Sequence, residues 1–290
     1  MLVFVGLLVV LVGVFGGYMA AGGSMGVIFH ALPFELSMIG GATAGAFIIG
    51  GSKHSLKHVL GGFKMAVKGE RWHKEDYLNL LALLFVLSKL IKTKGVVAVE
   101  SHIERPDDSE IFRQYPRILG DHFAVNLICD SIRMLTMDLS DVMVFEETLD
   151  KQIDKHYNEE MHASHGLQTM SDGLPALGIV AAVLGVIKTM SHISDPPEVL
   201  GKMIGGALVG TFLGVFLSYA MVGPIATRVA EVVNSDIQFY RVIKEVLVSH
   251  LRNAAPQVSV ELGRVVIPTH DQPSFAQLEE MLNNLPSVTA

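Results

Sequence analysis

The chain has 290 residues, half of them hydrophobic, with a formal net charge of −7 and a mean hydropathy of +0.43. That is too apolar for an ordinary soluble domain, and no nucleic-acid partner is expected of a chain with this acidic balance. The single cysteine, Cys129, excludes a disulfide framework.

Residues 2–20, LVFVGLLVVLVGVFGGYMA, carry no charge and would form a helix about 28 Å long, enough to cross the hydrocarbon core. The run lacks a basic leading segment and is too long for a signal peptide's apolar core, so it reads as an uncleaved span. Residues 36–51 form a second run, with Glu35 at its outer edge as an interfacial residue. Residues 77–91, YLNLLALLFVLSKLI, are nearly as apolar but are interrupted by Asn79 and Ser88. Lys68, Arg71 and Lys74 precede this stretch, and Lys89, Lys92 and Lys94 follow it. A crossing would set basic clusters on both sides of the membrane, so this is expected to be a buried core helix.

Residues 120–155 show apolar positions at helical spacing, from Phe123 through Leu139 to Ile153. The cluster His156, Glu159, Glu160, His162 and His165 wraps round a helix in a very polar region. It reads as a solvated helix end rather than a metal site. Two more spans are expected at 174–191 and 203–227. The second continues past Arg228 without a Gly or Pro break, so span and extension are expected to form one helix of about 50 residues. A capping-box pattern at Ser274–Gln277 starts a last short helix over 275–285.

Of the 22 Lys and Arg, 15 lie in residues 52–172 and five follow residue 227, whereas the 21–33 and 192–200 connections have none. The basic segments and both termini are therefore expected in the cytoplasm. The resulting expectation is an all-α integral membrane protein with four transmembrane helices and a helical cytoplasmic domain. Two spans occupy 1–51, a cytoplasmic domain 52–172, two more spans 173–227, and a cytoplasmic extension and tail 228–290.

Phosphate-loop, nucleophile-elbow and zinc-protease motifs do not occur, and no enzyme activity, cofactor or metal is expected. Small residues recur at helical spacing at Gly41 and Gly45, at Gly178 and Ala182, and at Gly206, Gly210 and Gly214. Such faces let helices approach closely in lipid, within one subunit or between subunits. Pro175 and Pro224 stand at the cytoplasmic ends of the last two spans.

The stretches DGLPALGIVAAVLG (172–185) and GGALVGTFLGVFLSYAMVGP (205–224) closely resemble the A subunit of the bacterial flagellar motor stator, the MotA/PomA family. SEIFRQYPRIL (109–119) and QPSFAQLEE (272–280) extend the resemblance over essentially the whole chain. It implies a homopentamer in the inner membrane around a dimer of a B subunit (MotB/PomB-like), whose single span supplies the ion-binding aspartate. The four spans here are read as carrying no central acid of their own, which fits such a partner. Pro175 and Pro224 would then permit a shape change of the pore helices. The resemblance sets Ala182 where sodium-driven members have threonine, which favours a proton; Thr211 matches a threonine found in both groups. It also carries over Lys92 and Glu100 as contacts for the rotor switch protein FliG. Lys92 departs from the more usual arginine, keeping the charge and losing bidentate geometry. The alternatives are an ExbB/TolQ-like energising subunit, whose relatives usually have three spans, and a non-conducting membrane scaffold.

Overall fold

The computed structural model describes residues 2–51, 53–137 and 141–285. All the regular structure among them is helical. Leu139 of the expected apolar stripe lies outside the described residues.

The uncharged leading run forms α1, Leu2–Ala20, including one π-helical turn at Val12–Gly16. α2 runs from Met25 to Gly50 and so begins well before residue 36, where the second span was expected. Pro33 lies inside it. The intervening stretch MGVIFHAL is apolar apart from His30, and in lipid such a backbone has to satisfy its own hydrogen bonds. A single proline costs the helix one donor without ending it.

α3 is Lys53–Lys68 and α4 is Lys74–Lys94. A single-turn helix, α5, follows at Glu100–Glu104, and another, α6, at Pro116–Leu119. α7 spans His122–Thr136, and α8 runs without interruption from Val142 to Met190. α9, Pro197–Leu251, is the long helix expected for the fourth span and its extension, with a π turn at Ser218–Val222. α10 (Pro256–Val265) and the capping-box helix α11 (Phe275–Asn283) close the described chain.

Among the described residues, four helices, α1, α2, α8 and α9, are long and apolar enough to cross a membrane. Two compact units divide the residues. The first comprises the chain up to Gly69 together with Glu160–Val232, and its small core holds Ile39, Leu174, Ala181, Val209 and Leu213. Most of its apolar surface stays exposed; α1 has no buried residue at all. That pattern suits helices whose solvent is lipid.

The second unit comprises Glu70–Glu159 and the chain from Val233 on. Its centre is α4, where Leu80, Leu81, Ala82, Leu83, Leu84 and Leu87 are all at 0% exposure. The stretch 77–91 is thus an interior helix and not a fifth span, as its flanking charge predicts. A capping box joins His73 and Asp76 at its start, and Arg117 donates to the same buried Asp76 carboxylate at 2.7 Å. Asp121 caps α7 by accepting from the Ala124 N–H at 2.8 Å, and it also accepts from Arg71 (2.6 Å) and Tyr240 (3.2 Å). Burial, with the Asp121 charge, pushes the Tyr240 phenol well up, so it remains a donor in this network. Burial likewise pushes the Cys129 thiol up to about 12.

The cluster at 156–165 is not a helix end. It lies mid-way along α8, where His156 stacks on Phe123 at 3.8 Å between ring centroids and meets the edge of Tyr240 at 5.3 Å. His156 is held against that aromatic surface, while Glu159, His162 and His165 stay exposed along the unbroken helix.

Candidate functional site

Within the first unit, α8 and α9 touch along a seam that only glycine permits. A Cβ on Gly178 would stand 2.8 Å from the Gly210 carbonyl oxygen and 2.9 Å from the Gly214 Cα. One on Gly214 would stand 2.6 Å from the Leu174 carbonyl oxygen, and one on Gly185 2.6 Å from the Ala207 Cβ. Real Cβ contacts are never this short, so the small-residue face of α9 is spent on packing within the chain. Gly41 and Gly45 differ: nothing lies within 4 Å of a Cβ placed on either, and that face of α2 is open.

The expected pore residues follow this seam. Pro175 comes directly after Leu174, whose carbonyl meets Gly214. Ala182 faces Gly210, its amide nitrogen 3.2 Å from the Cβ position there, and Thr211 is the next residue of α9. Pro175 and Ala182 are half-buried, whereas Pro224 is exposed. Pro175 lies inside α8 rather than at a helix boundary, and it deprives the Ser171 carbonyl of its normal donor.

Two hydroxyl contacts pin α8 to α9 on either side of Pro224. Buried Ser171 donates to the Ser218 carbonyl, with its Oγ also 3.1 Å from the Ser218 Oγ. Buried Ser164 donates to the Ala226 carbonyl at 2.9 Å. Between these contacts, Pro224 has no N–H to offer the preceding turn. The helix widens there into the π turn, and the Gly223 N–H donates to Ser218 O, five residues back. A Cβ on Gly223 would come within 3.0 Å of that same oxygen. This serine pair had no signal in the sequence, because its members are 47 residues apart.

Glu35 corrects the sequence reading more sharply. It is not interfacial: it is 5% exposed and sits against Gly210, its Oε2 2.5 Å from where a Cβ there would be. That oxygen has no hydrogen-bond partner. The early start of α2 explains the difference, since it carries Glu35 well inside the helix rather than to its edge.

The second unit holds Lys92 and Glu100, both exposed. They do not share a helix. Gly95, at φ 85, ends α4, a 3-10 turn covers Val96–Val99, and Glu100 opens α5. A left-handed φ at that point is cheap only for glycine. Lys92 donates to the Asn253 side-chain oxygen at the end of α9. Nearby, buried His250 has an Nδ1 without a partner, and burial, reinforced by the Lys92 charge, pulls its pKa down.

Residues 4–95 match the family described as Motility protein A N-terminal, and residues 121–241 match the MotA/TolQ/ExbB proton channel family. The chain is 37% identical over 280 residues to motility protein A of Salmonella typhimurium, covering 97% of this chain and 94% of that one. The chain belongs to the motility protein A family. Chemotaxis protein LafT of Vibrio parahaemolyticus is 35% identical, covering 96% of this chain and 97% of that relative. The fold of this family member also matches a chain in the solved flagellar MotAB stator complex of Bacillus subtilis, with a TM-score of 0.72 at 22% identity. That match covers 95% of this chain and all of the other. A chain of C. jejuni MotAB matches with a TM-score of 0.74 at 18% identity, covering 94% and 98%.

Proposed function

We propose that this chain is the A subunit of a flagellar motor stator, which with a B subunit conducts protons across the bacterial inner membrane and turns the flow into torque on the rotor. The observation that carries this reading is kinship with motility protein A along nearly the whole chain, on a molecule with four candidate spans. The four-span layout also favours it over the usually three-span ExbB/TolQ type.

In this reading five copies surround a B-subunit dimer, and both termini lie in the cytoplasm. The open Gly41/Gly45 face of α2 supports contact with another helix of the assembly. Pro175 and Pro224 give α8 and α9 bends that shift as the partner's acid binds and releases its ion. Ala182 offers no hydroxyl there, and a proton needs none, whereas Na⁺ requires several oxygen ligands in place of its hydration shell. Thr211 supplies a hydroxyl on α9 without completing such a set. Lys92 and Glu100 face FliG, with Lys92 tethered to Asn253, and steer it by charge. Such exposed pairs contribute about 0–1 kcal/mol each, so the torque contact is shared among neighbours. The stator subunit acts as a channel component rather than an enzyme and takes no cofactor.

The reading is tested by expressing the chain with its B subunit in flagellated cells lacking their own stator. Restored swimming is expected only when both chains are present. Paralysed cells with both proteins in the membrane and intact flagella would refute it.

A further inference from the structure

Glu35 lies ten residues after the start of a 26-residue membrane helix, on the stripe of α2 that also buries Ile39 and Thr43. The same side of α2 packs on α9: the Cβ positions of Gly205 and Gly206 lie 3.2 Å from Val27 and 3.8 Å from Ala31. One turn further along, Gly210 leaves the room that the Glu35 carboxyl fills, and the backbone of Ala182 closes the space from α8. Three spans therefore meet around one acid.

Nothing described neutralises it. The ionisable groups on the membrane-spanning parts of these helices are His30 on α2, Asp172 and Lys188 on α8, and Glu198, Lys202 and Tyr219 on α9. All are exposed. None makes an ion pair or hydrogen bond with Glu35 Oε2, which is buried without a partner. A leucine would fill such a space at no electrostatic cost, whereas an ionised carboxylate there lacks both counter-ion and donor. Binding a proton removes the charge, and an ionisable side chain kept within a membrane marks an ion route by default.

We propose that Glu35 is a proton-binding site belonging to this chain itself, at the Ala182–Gly210 level of the pore helices. Its carboxylate takes up one H⁺ to become the neutral acid and gives the same H⁺ back, with no other bond made or broken. It is a second carboxyl on the proton's route, besides the one the B subunit brings. The inference rests on the proton-channel reading above.

The test uses the complete complex of this chain with its B subunit, and two readouts. Infrared difference spectra recorded across a pH titration should contain a protonated-carboxyl carbonyl band that disappears in Glu35→Gln. Proton flux into vesicles carrying equal amounts of complex should fall about tenfold or more in Glu35→Gln and recover in part in Glu35→Asp. Glutamine keeps the shape and hydrogen-bonding capacity but cannot take a proton, so a packing role alone would leave flux near wild type. Unchanged flux together with an unchanged carbonyl band overturns the proposal. If Glu35→Gln fails to assemble, the spectra of wild type and Glu35→Asp decide: a titrating band that shifts supports the site, and one that does not shift overturns it. Absence of flux in the wild-type complex would instead sink the channel reading, while the infrared band still reports on Glu35.

Discussion

Gly214 and Gly178 set how closely α8 and α9 approach, because each occupies space that a methyl group would take from the other helix. Gly214→Val would drive side-chain carbon into the Leu174 carbonyl, one residue before Pro175. Overpacking of this kind costs about 1–3 kcal/mol. The thermal midpoint of the detergent-extracted complex is expected to fall, while Gly41→Ala, on the open face, leaves the fold of the single chain unaffected. His250 offers a pH-dependent counterpart in the second unit. Its folded pKa lies below the ordinary value of 6.5, chiefly through burial and further through Lys92. The unfolded chain therefore binds the extra proton first as pH falls. The stability present above pH 6.5 is lost on acidification through that value and down towards the folded pKa. Thermal midpoints measured from about pH 7.5 to about pH 5.5 should drop, and His250→Leu should flatten that slope. An equal slope in the variant would assign the acid sensitivity to other groups.

At the scale of elements, the two prolines matter most. Pro175 interrupts the ladder of α8 close to where Ser171 grips Ser218, and Pro224 forces the π turn in α9. Pro175→Ala returns a donor to the Ser171 carbonyl and stiffens that stretch. Assembly with the B subunit is expected to survive while motility is lost, as read by co-purification and by rotation of tethered cells. Normal rotation with normal expression would reduce the proline to a harmless kink. These elements also show where sequence reading reaches its limit. The interior helix α4 was legible because basic residues flank both its ends. The start of α2 was not, because His30 and Pro33 together imitate a loop; in lipid the backbone stays helical through both, and Glu35 moves inward with it. The polar run at 156–165 resembled a helix end for a related reason. The rings that hold its first residue, His156, are Phe123 and Tyr240, from distant parts of the chain. Pro175, Ala182 and Thr211, near the α8–α9 seam, were named by resemblance to a family. The glycine contacts that build the seam, and the serine contacts beside it, are tertiary and leave no local pattern.

Taken as a whole molecule, the chain combines a sparsely buried set of membrane helices with a densely packed helical unit centred on α4. The first unit has the exposed apolar surface of a subunit awaiting lipid and partners, and the second has a dense apolar core built around one interior helix. This division suits a machine in which ion passage and rotor contact occupy different parts of one chain. The most direct test is the speed of tethered cells driven only by this chain and its B subunit, with the proton gradient and the sodium gradient varied independently. Speed should follow the proton-motive force and be indifferent to external sodium. Rotation that stops on sodium withdrawal while the proton-motive force is intact would contradict the account.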